Sequence, residues 1–208
     1  FDNLDRITNM IHPDGNSESW NWTVCGCGEA SHTDRGGNVH QTTYDANKRV
    51  KIRTTSTSNT VLSYARFDYN SNDQITKTYD ILSNYVEDVY NVAGELTDSV
   101  DQLGRITSYT RDSAGRQYLT IYPDNSISSN TYDSASRLIK TARYASTNSS
   151  LPLTSSLFAR DALGRIVATT DALDNVTSNS FDLAGRTIKV TLPDGSFTET
   201  EFDLLGNV

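Results

Sequence analysis

Two cysteines separated by one glycine carry the softest donor atoms of the sequence, in the segment Cys25-Gly26-Cys27-Gly28. With His32 and His40 they could offer thiolate and imidazole ligands to a soft metal ion. A convincing zinc site has a second C-x-x-C pair at a fixed spacing, which is missing here. The pattern therefore favours a disulfide, within the chain or between chains, or two free thiols in a tight turn. No metal or cofactor is expected.

Pairs of aspartates are the second candidate chemistry. Asp171 with Asp174, and Asp2 with Asp5, offer the hard oxygen ligands that calcium binds, but neither pair has the register of a known calcium loop. Capping of a turn explains these aspartates more simply. The three histidines in the sequence form no Ser-His-Asp or Cys-His set that spacing would identify. No enzyme is expected.

Aromatic side chains are the third candidate, because they could stack on sugars; a glycan is thus a candidate partner. Trp20 and Trp22 lie two residues apart, on one face of a predicted strand, and are the best candidates for exposure. Most tyrosines and phenylalanines instead precede an aspartate in a turn. We expect those rings to point inward and fill the interface between hairpins.

Composition limits the partners and the size of the core. The 208 residues include 26 Thr, 24 Ser, 17 Asn and 20 Asp, whereas the hydrophobic fraction is 36%, below the roughly 45 to 50% of globular domains. Any core must be thin. The net charge of -8 argues against nucleic acid and against anionic membranes as partners. No apolar stretch approaches the roughly 20 residues of a membrane helix, so this segment is not expected to insert into a membrane.

A short motif that recurs along the chain must position these side chains. It consists of an aromatic or polar residue, Asp, two variable residues, Gly or a substitute, and then Arg, Gln or Asn. Its clearest copies start at Phe1, Tyr44, Tyr132 and Phe181, and the residues that define it are Asp2, Asp45, Tyr132, Asp133, Asp161, Gly164, Asp182, Gly185, Asp203 and Gly206. From residue 70 onward, copies follow one another at steps of 10, 11 or 21 residues, with one step of 28, which indicates a unit of about 21 residues in two halves.

Each copy of the motif predicts a hairpin corner. Asp at the first and Gly at the fourth position is the preference of a type I turn, because the carboxylate accepts backbone N–H groups and Gly tolerates positive φ. A second corner, exemplified by Pro193-Asp194-Gly195, alternates with it. Between corners lie about six residues of alternating character, which predict strands. Isolated hairpins are marginal in water, so the repeats are expected to pair edge to edge in a long antiparallel sheet that twists and coils.

Tyr-Asp-x-x-Gly-Arg, interleaved with Pro-Asp-Gly, resembles the repeat of the Rhs or YD-repeat family. This family includes bacterial Rhs proteins, the C component of Tc toxin complexes and the teneurins. The resemblance implies a spiral β-sheet wound into a hollow shell, which in toxin members encloses a C-terminal effector. The shell-closing region of the family, rich in Asp-Pro turns, has no counterpart here, since none of the four prolines follows an aspartate.

The sequence thus predicts an all-β fold of tandem antiparallel β-hairpin repeats, forming a coiled or spiral sheet. Residues 1–208 are expected to be a single array, cut from a longer one, with longer loops or widened hairpins at 16–43, 51–68 and 142–158. The expected function is structural: a bacterial, secreted or cell-surface shell or tube wall around cargo such as a toxin effector. The alternative is an extracellular fibre or adhesin that contacts glycans, cells or copies of itself. Flanking repeats of the same chain are the expected partners in either case.

Overall fold

The computed structural model describes residues 1–23, 25–58, 60–203 and 205–208, and every helix or strand assigned in them is a β-strand. These residues fall into two compact units, Phe1–Ile106 and Thr107–Val208. The first unit contains β1 (Asn9–Ile11), β2 (Ser17–Trp22), β3 (Glu29–Thr33), β4 (Val39–Tyr44), β5 (Val50–Ser56), β6 (Val61–Tyr69), β7 (Ile75–Tyr79), β8 (Tyr85–Tyr90) and β9 (Leu96–Val100). The second contains β10 (Ile106–Arg111, from its second residue onward), β11 (Gln117–Ile121), β12 (Ile127–Tyr132), β13 (Leu138–Tyr144), β14 (Thr154–Arg160), β15 (Ile166–Asp171), β16 (Val176–Phe181), β17 (Thr187–Thr191) and β18 (Phe197–Glu199).

Within each unit every strand pairs antiparallel with the next strand of the chain, from β1 to β9 and from β10 to β18. The strands of each unit pack only against these neighbours, as far as the described residues go. The predicted fold of tandem antiparallel hairpins is confirmed. In the described ranges there is no helix with the length and apolar character that a membrane crossing would need.

The tight corners close with two backbone hydrogen bonds. At the corner that begins with Asp45, the N–H of the fourth residue, Lys48, donates to the Asp45 oxygen at 3.0 Å. The N–H of Asp45 in turn donates to the oxygen of Arg49 at 2.8 Å. Lys48 has a φ of 66°, a left-handed conformation that glycine adopts most easily. This geometry accounts for the glycine at the fourth position of other copies.

Two corner chemistries produce the same backbone path. In the Tyr-Asp corners the carboxylate belongs to the first residue. In the Pro-Asp-Gly corners it belongs to the third: Asp194 Oδ1 accepts the N–H of Ser196 at 2.9 Å, while Gly195 N–H donates to the Leu192 oxygen at 2.9 Å. Proline at the second position presets the backbone for the same turn.

Successive corners lie on opposite edges of each unit, because the chain reverses at every corner. On one edge, here named the Tyr-Asp edge, the register shifts by one residue beside the corners that begin at Asp45, Asn70, Asn91, Asp112, Asp133, Asp161 and Asp182. Such a shift marks a β-bulge. On the opposite edge the register is continuous beside the corners that begin at His12, Asp34, Asp80, Tyr122, Asp171 and Leu192. The bulge therefore distinguishes these corners of the two edges, although the β5–β6 pair also shifts register at its end on the opposite edge, between Thr55 and Ser56.

The core is thin, as the composition predicts. Of the described residues only Thr120, Ser126 and Ala142 are buried, and two of these three are polar. Most strand residues on either face are half-buried. Stability must therefore come from contacts between neighbouring hairpins rather than from a central apolar mass.

Two of the three irregular regions contain longer connections. Residues 16–43 include the β2–β3 connection at 23–28, and residues 142–158 include the β13–β14 connection at 145–153. Residues 51–68 include most of β6, which is nine residues long. That residues 1–208 form one array remains a prediction.

Candidate functional site

The corner aspartate and the arginine four residues later form the unit that recurs along the chain. Asp112 Oδ1 accepts the backbone N–H groups of Ala114 at 2.9 Å and Arg116 at 3.0 Å. Asp112 Oδ2 accepts the Arg116 side chain through Nε at 2.8 Å and Nη2 at 2.7 Å. Equivalent ion pairs join Asp2 to Arg6, Asp45 to Arg49, Asp101 to Arg105, Asp133 to Arg137, Asp161 to Arg165 and Asp182 to Arg186.

These hydrogen bonds favour the ionised carboxyl groups. The Arg6 side chain lowers the pKa of Asp2 from 3.8 to about 2. The Arg116 side chain likewise lowers the pKa of Asp112, and the backbone N–H groups of Arg116 and Ala114 act in the same direction. The aspartates therefore remain charged, and continue to hold the arginines, well below neutral pH.

Five of these guanidinium groups, those of Arg6, Arg49, Arg116, Arg165 and Arg186, reach the next corner of the Tyr-Asp edge. Arg116 Nη1 donates to the backbone oxygen of Asp133 at 3.2 Å and to Ser136 Oγ at 3.1 Å. The guanidinium carbon lies 4.8 Å from the ring centre of Tyr132, the aromatic residue of that next corner. The same stacking, at 4.3 to 5.0 Å, joins Arg6 to Trp22, Arg49 to Tyr69, Arg165 to Phe181 and Arg186 to Phe202. Arginine over an aromatic face is an attractive cation–π contact.

The aromatic residue completes the connection by bonding back to the preceding corner. The Tyr132 hydroxyl donates to the backbone oxygen of Gln117, the residue after Arg116, at 2.9 Å. The hydroxyls of Tyr44, Tyr69 and Tyr90 donate to the oxygens of Glu29, Val50 and Ile75 at 2.6 to 3.1 Å. We call the corner aspartate, its arginine and the aromatic residue of the next corner a rung. Rungs tie consecutive hairpins side by side.

Two corners keep the connection with other residue types. Arg160 stands where an aromatic residue is usual, and its Nη2 donates to the backbone oxygen of Leu138 at 3.0 Å. Leu138 follows Arg137, so it is the acceptor that a tyrosine would use. At the corner that begins with Asn70, Gln74 takes the place of arginine, and its Nε2 donates to the Gly94 oxygen of the next corner at 2.6 Å. The contact between hairpins thus persists where the motif departs from its usual residues.

The structure places the residues of the turn motif at equivalent corner positions. Asp2, Asp45, Asp133, Asp161, Asp182 and Asp203 are first corner residues, and Gly164, Gly185 and Gly206 are fourth, with φ of 84° to 88°. Tyr132 precedes a corner and faces the previous one. The sequence analysis did not predict that the arginine of one corner contacts the aromatic residue of the next corner. A signal for it exists: four of the five stacked pairs, such as Arg116 and Tyr132, are 16 residues apart.

Cys25 and Cys27 are joined to each other by a disulfide. His32, the proposed third ligand, instead stacks on Trp20 with ring centres 4.7 Å apart, and His32 Nε2 donates to Glu18 at 3.0 Å. No group of three or more His, Cys, Asp or Glu that could hold a metal occurs among the residues described.

The aspartate pairs considered for calcium are parts of corners. Asp171 Oδ1 accepts the N–H groups of Leu173 and Asn175 at 2.8 and 2.9 Å, while Asp174 is the fourth residue, with a φ of 62°. Asp5 occupies the same fourth position in the first corner, with a φ of 58°. Both pairs thus have the geometry of a capped turn.

The prediction that Trp20 and Trp22 are exposed is wrong. Both are half-buried. Trp20 is covered by His32, and Trp22 lies under Arg6 at 5.0 Å and donates its Nε1–H to the Ile7 oxygen at 2.8 Å. Alternation along β2 does place them on one face, but that face carries the contacts between strands.

Comparison with known proteins identifies both the repeat and the fold. The model of the RHS repeat matches residues 90–127 and 160–196. No curated protein matches the sequence. Among solved structures, the crystal structure of TcdB2-TccC3-Cdc42 is 14% identical, with a TM-score of 0.74 over 96% of this chain and 12% of the matched one.

Two further structures share the fold. The crystal structure of TcdB2-TccC3 without the hypervariable C-terminal region is 15% identical, with a TM-score of 0.74 over 96% of this chain and 11% of the other. The Photorhabdus luminescens Tc holotoxin pore is 12% identical, with a TM-score of 0.57 over 95% and 15%. The chain thus spans about an eighth of the structures that it resembles. The resemblance predicted from the turn motif is confirmed, with RHS repeats at residues 90–127 and 160–196.

Proposed function

We propose that this chain is a structural scaffold: a segment of the wall of a shell or tube built by a larger Rhs-like protein. The observation that carries the proposal is the rung. An aspartate, an arginine and an aromatic residue of the next corner join consecutive hairpins again and again along one edge. Such repetition stabilises a surface of indefinite length, whereas a binding or catalytic site needs a constellation that occurs once.

The nature of the wall supports an enclosing role. Each unit is made of hairpins that pack only against their sequence neighbours, with almost no buried core among the described residues. A thin sheet encloses a large volume with little polypeptide. The fold likeness to the TcdB2-TccC3 structures fits this role. We therefore infer that the enclosed partner is cargo such as a toxin effector, that the whole protein is a secreted bacterial one, and that this segment is not itself catalytic.

Electron microscopy of the full-length protein tests the proposal. A wall segment predicts a hollow particle, whereas an extended filament would contradict it and favour a surface fibre. A variant that combines Arg116→Gln with Arg165→Gln removes two rungs and is expected to lower the fraction of intact hollow particles. Lys51→Gln, at an exposed strand position that belongs to no rung, is the matched control and should leave the particles unchanged.

A further inference from the structure

One edge of the second unit carries a strip of exposed apolar side chains, opposite to its Tyr-Asp edge. The strip, here named the leucine strip, lies on the β13–β14, β15–β16 and β17–β18 connections and on the strand ends beside them. Its members are between 45% and 81% exposed: Leu151, Leu153, Leu173, Val176, Leu192 and Phe197. Single exposed apolar residues are common on proteins, but a contiguous strip marks an interaction surface.

Strand pairing makes the strip contiguous. Ser156 pairs with Asp171, which sets the β13–β14 connection beside the corner that carries Leu173. Thr191 pairs with both Ser178 and Phe197. Paired residues share a face, so Phe197 lies on the same face as Val176, two residues before Ser178. Successive connections are about 10 Å apart, since neighbouring strands lie roughly 4.8 Å apart.

Carboxylates accompany the leucine strip, and its connections contain no basic residue. Asp171, Asp174 and Asp194 lie in its corners, and residues 145–153, 171–175 and 192–196 contain no lysine or arginine. Asp171 and Asp194 are hydrogen-bonded by the neutral side chains of Asn175 and Ser196. At the adjoining strand end, Lys189 Nζ lies 3.7 Å from the ring centre of Phe197 and is paired with Glu199.

The Tyr-Asp edge of the same unit differs in charge. There Asp112, Asp133, Asp161 and Asp182 are each paired with an arginine. The two edges carry similar exposed leucines at their corners. Leu173 lies in a corner whose first aspartate is held by the neutral side chain of Asn175, whereas Leu183 follows an aspartate that is paired with Arg186.

We propose that the leucine strip is a docking surface for a polypeptide segment that is both apolar and basic. Apolar side chains of the partner cover the leucines, and its lysines or arginines lie beside the three aspartates. A second copy of this chain is disfavoured as the occupant, because a symmetric contact would bring the aspartates of both copies together. The proposal goes beyond the scaffold role, since it concerns an edge that the rungs do not use.

Binding of model peptides by the 208-residue chain tests the proposal. The probe is a short fluorescent peptide of alternating leucine and lysine, followed by anisotropy. Two comparison peptides keep one property each. A leucine–glutamate peptide keeps the apolar side chains, and a serine–lysine peptide keeps the positive charge. We expect binding of the leucine–lysine peptide only, and weaker binding at higher salt because exposed charges are screened. Equal binding of the serine–lysine peptide would show that the net charge of the chain alone attracts the peptides, and would overturn the proposal. The absence of any binding would overturn it as well.

Variants locate the binding. Leu173→Ser combined with Leu192→Ser is expected to lower the affinity for the leucine–lysine peptide roughly tenfold or more, because apolar contacts with the peptide are lost. Asp174→Asn removes one charge. It should lower the affinity less than the double leucine variant does, and binding should then depend less on salt. Leu183→Ser, at a matched corner of the Tyr-Asp edge, should have no effect. Equal losses in Leu183→Ser, or a dimer of the chain that Leu173→Ser dissociates, would overturn the proposal. Circular dichroism of each variant verifies that the fold is intact.

Discussion

At the scale of the residue, Arg116 contributes to two hairpins at once. Asp112 holds the guanidinium of Arg116 through Nε and Nη2. Nη1 can therefore donate to the Asp133 oxygen, and the planar face of the guanidinium can stack on the ring of Tyr132. Lysine could not replace it, because an ammonium group cannot donate in this planar, bidentate way and stack as well. The arginine of the motif is thus explained by geometry rather than by charge alone.

The hydroxyl of Tyr132 should contribute measurably to stability. Tyr132→Phe removes its hydrogen bond to the Gln117 oxygen and is expected to lower the free energy of unfolding by about 1 kcal/mol. Urea denaturation measures the change. Tyr118→Phe, at a tyrosine that is 39% exposed on β11, is the control and should change stability little. Equal effects of the two substitutions would show that the hydroxyl contact is unimportant.

Gly28 has a steric role as well as a conformational one. A methyl group there would overlap the Tyr44 hydroxyl, and the φ of 150° is unfavourable for other residues. Gly28→Ala is therefore expected to lower the free energy of unfolding by about 2 kcal/mol. Gly15→Ala, where φ is 86° but no atom lies within 4 Å, should cost only about 1 kcal/mol. If Gly15→Ala is the more damaging of the two, close packing at Gly28 is not the reason for the glycine.

At the scale of the element, the sequence predicts the corners but not the side-chain contacts between one corner and the next. Asp and Gly at positions one and four determine a corner within five residues, so sequence alone locates Asp182 and Gly185 correctly. The contact of Arg165 with Phe181 depends instead on which strands become neighbours and on the bulge beside the corner. Alternation placed Trp20 and Trp22 on one face, but could not tell that His32 and Arg6 would cover that face.

Lys48 offers a test of the corner geometry. Its φ of 66° is costly for a residue with a side chain, so Lys48→Gly is expected to raise the free energy of unfolding by up to about 1 kcal/mol. Ala46→Gly in the same corner, where φ is not positive, should lower it by a similar amount, since glycine makes the unfolded chain more flexible. Thermal unfolding of both variants provides the comparison. Destabilisation by Lys48→Gly would contradict the assigned corner.

At the scale of the whole molecule, acid should weaken the array because the corner carboxylates must be ionised. The pKa of Asp2 falls from 3.8 to about 2 in the folded chain, and those of Asp45, Asp101 and Asp112 are also lowered. A lowered folded-state pKa contributes stability above the unfolded-state value, and this contribution is lost as the pH falls through the folded-state value. Melting temperatures should therefore drop as the pH is lowered from 3.8 towards 2. An unchanged melting temperature across that window would contradict the prediction.

A double-mutant cycle between Arg116 and Tyr132 tests most directly whether the rungs hold consecutive hairpins together. The chain is denatured by urea as wild type, Arg116→Gln, Tyr132→Leu and the double variant, which isolates the coupling between the two side chains. Rungs predict that the double variant loses less stability than the two single variants combined, with a coupling of about 0.5 to 1 kcal/mol. Additive losses, with no coupling, would contradict the claim that this arginine and this aromatic ring join one hairpin to the next.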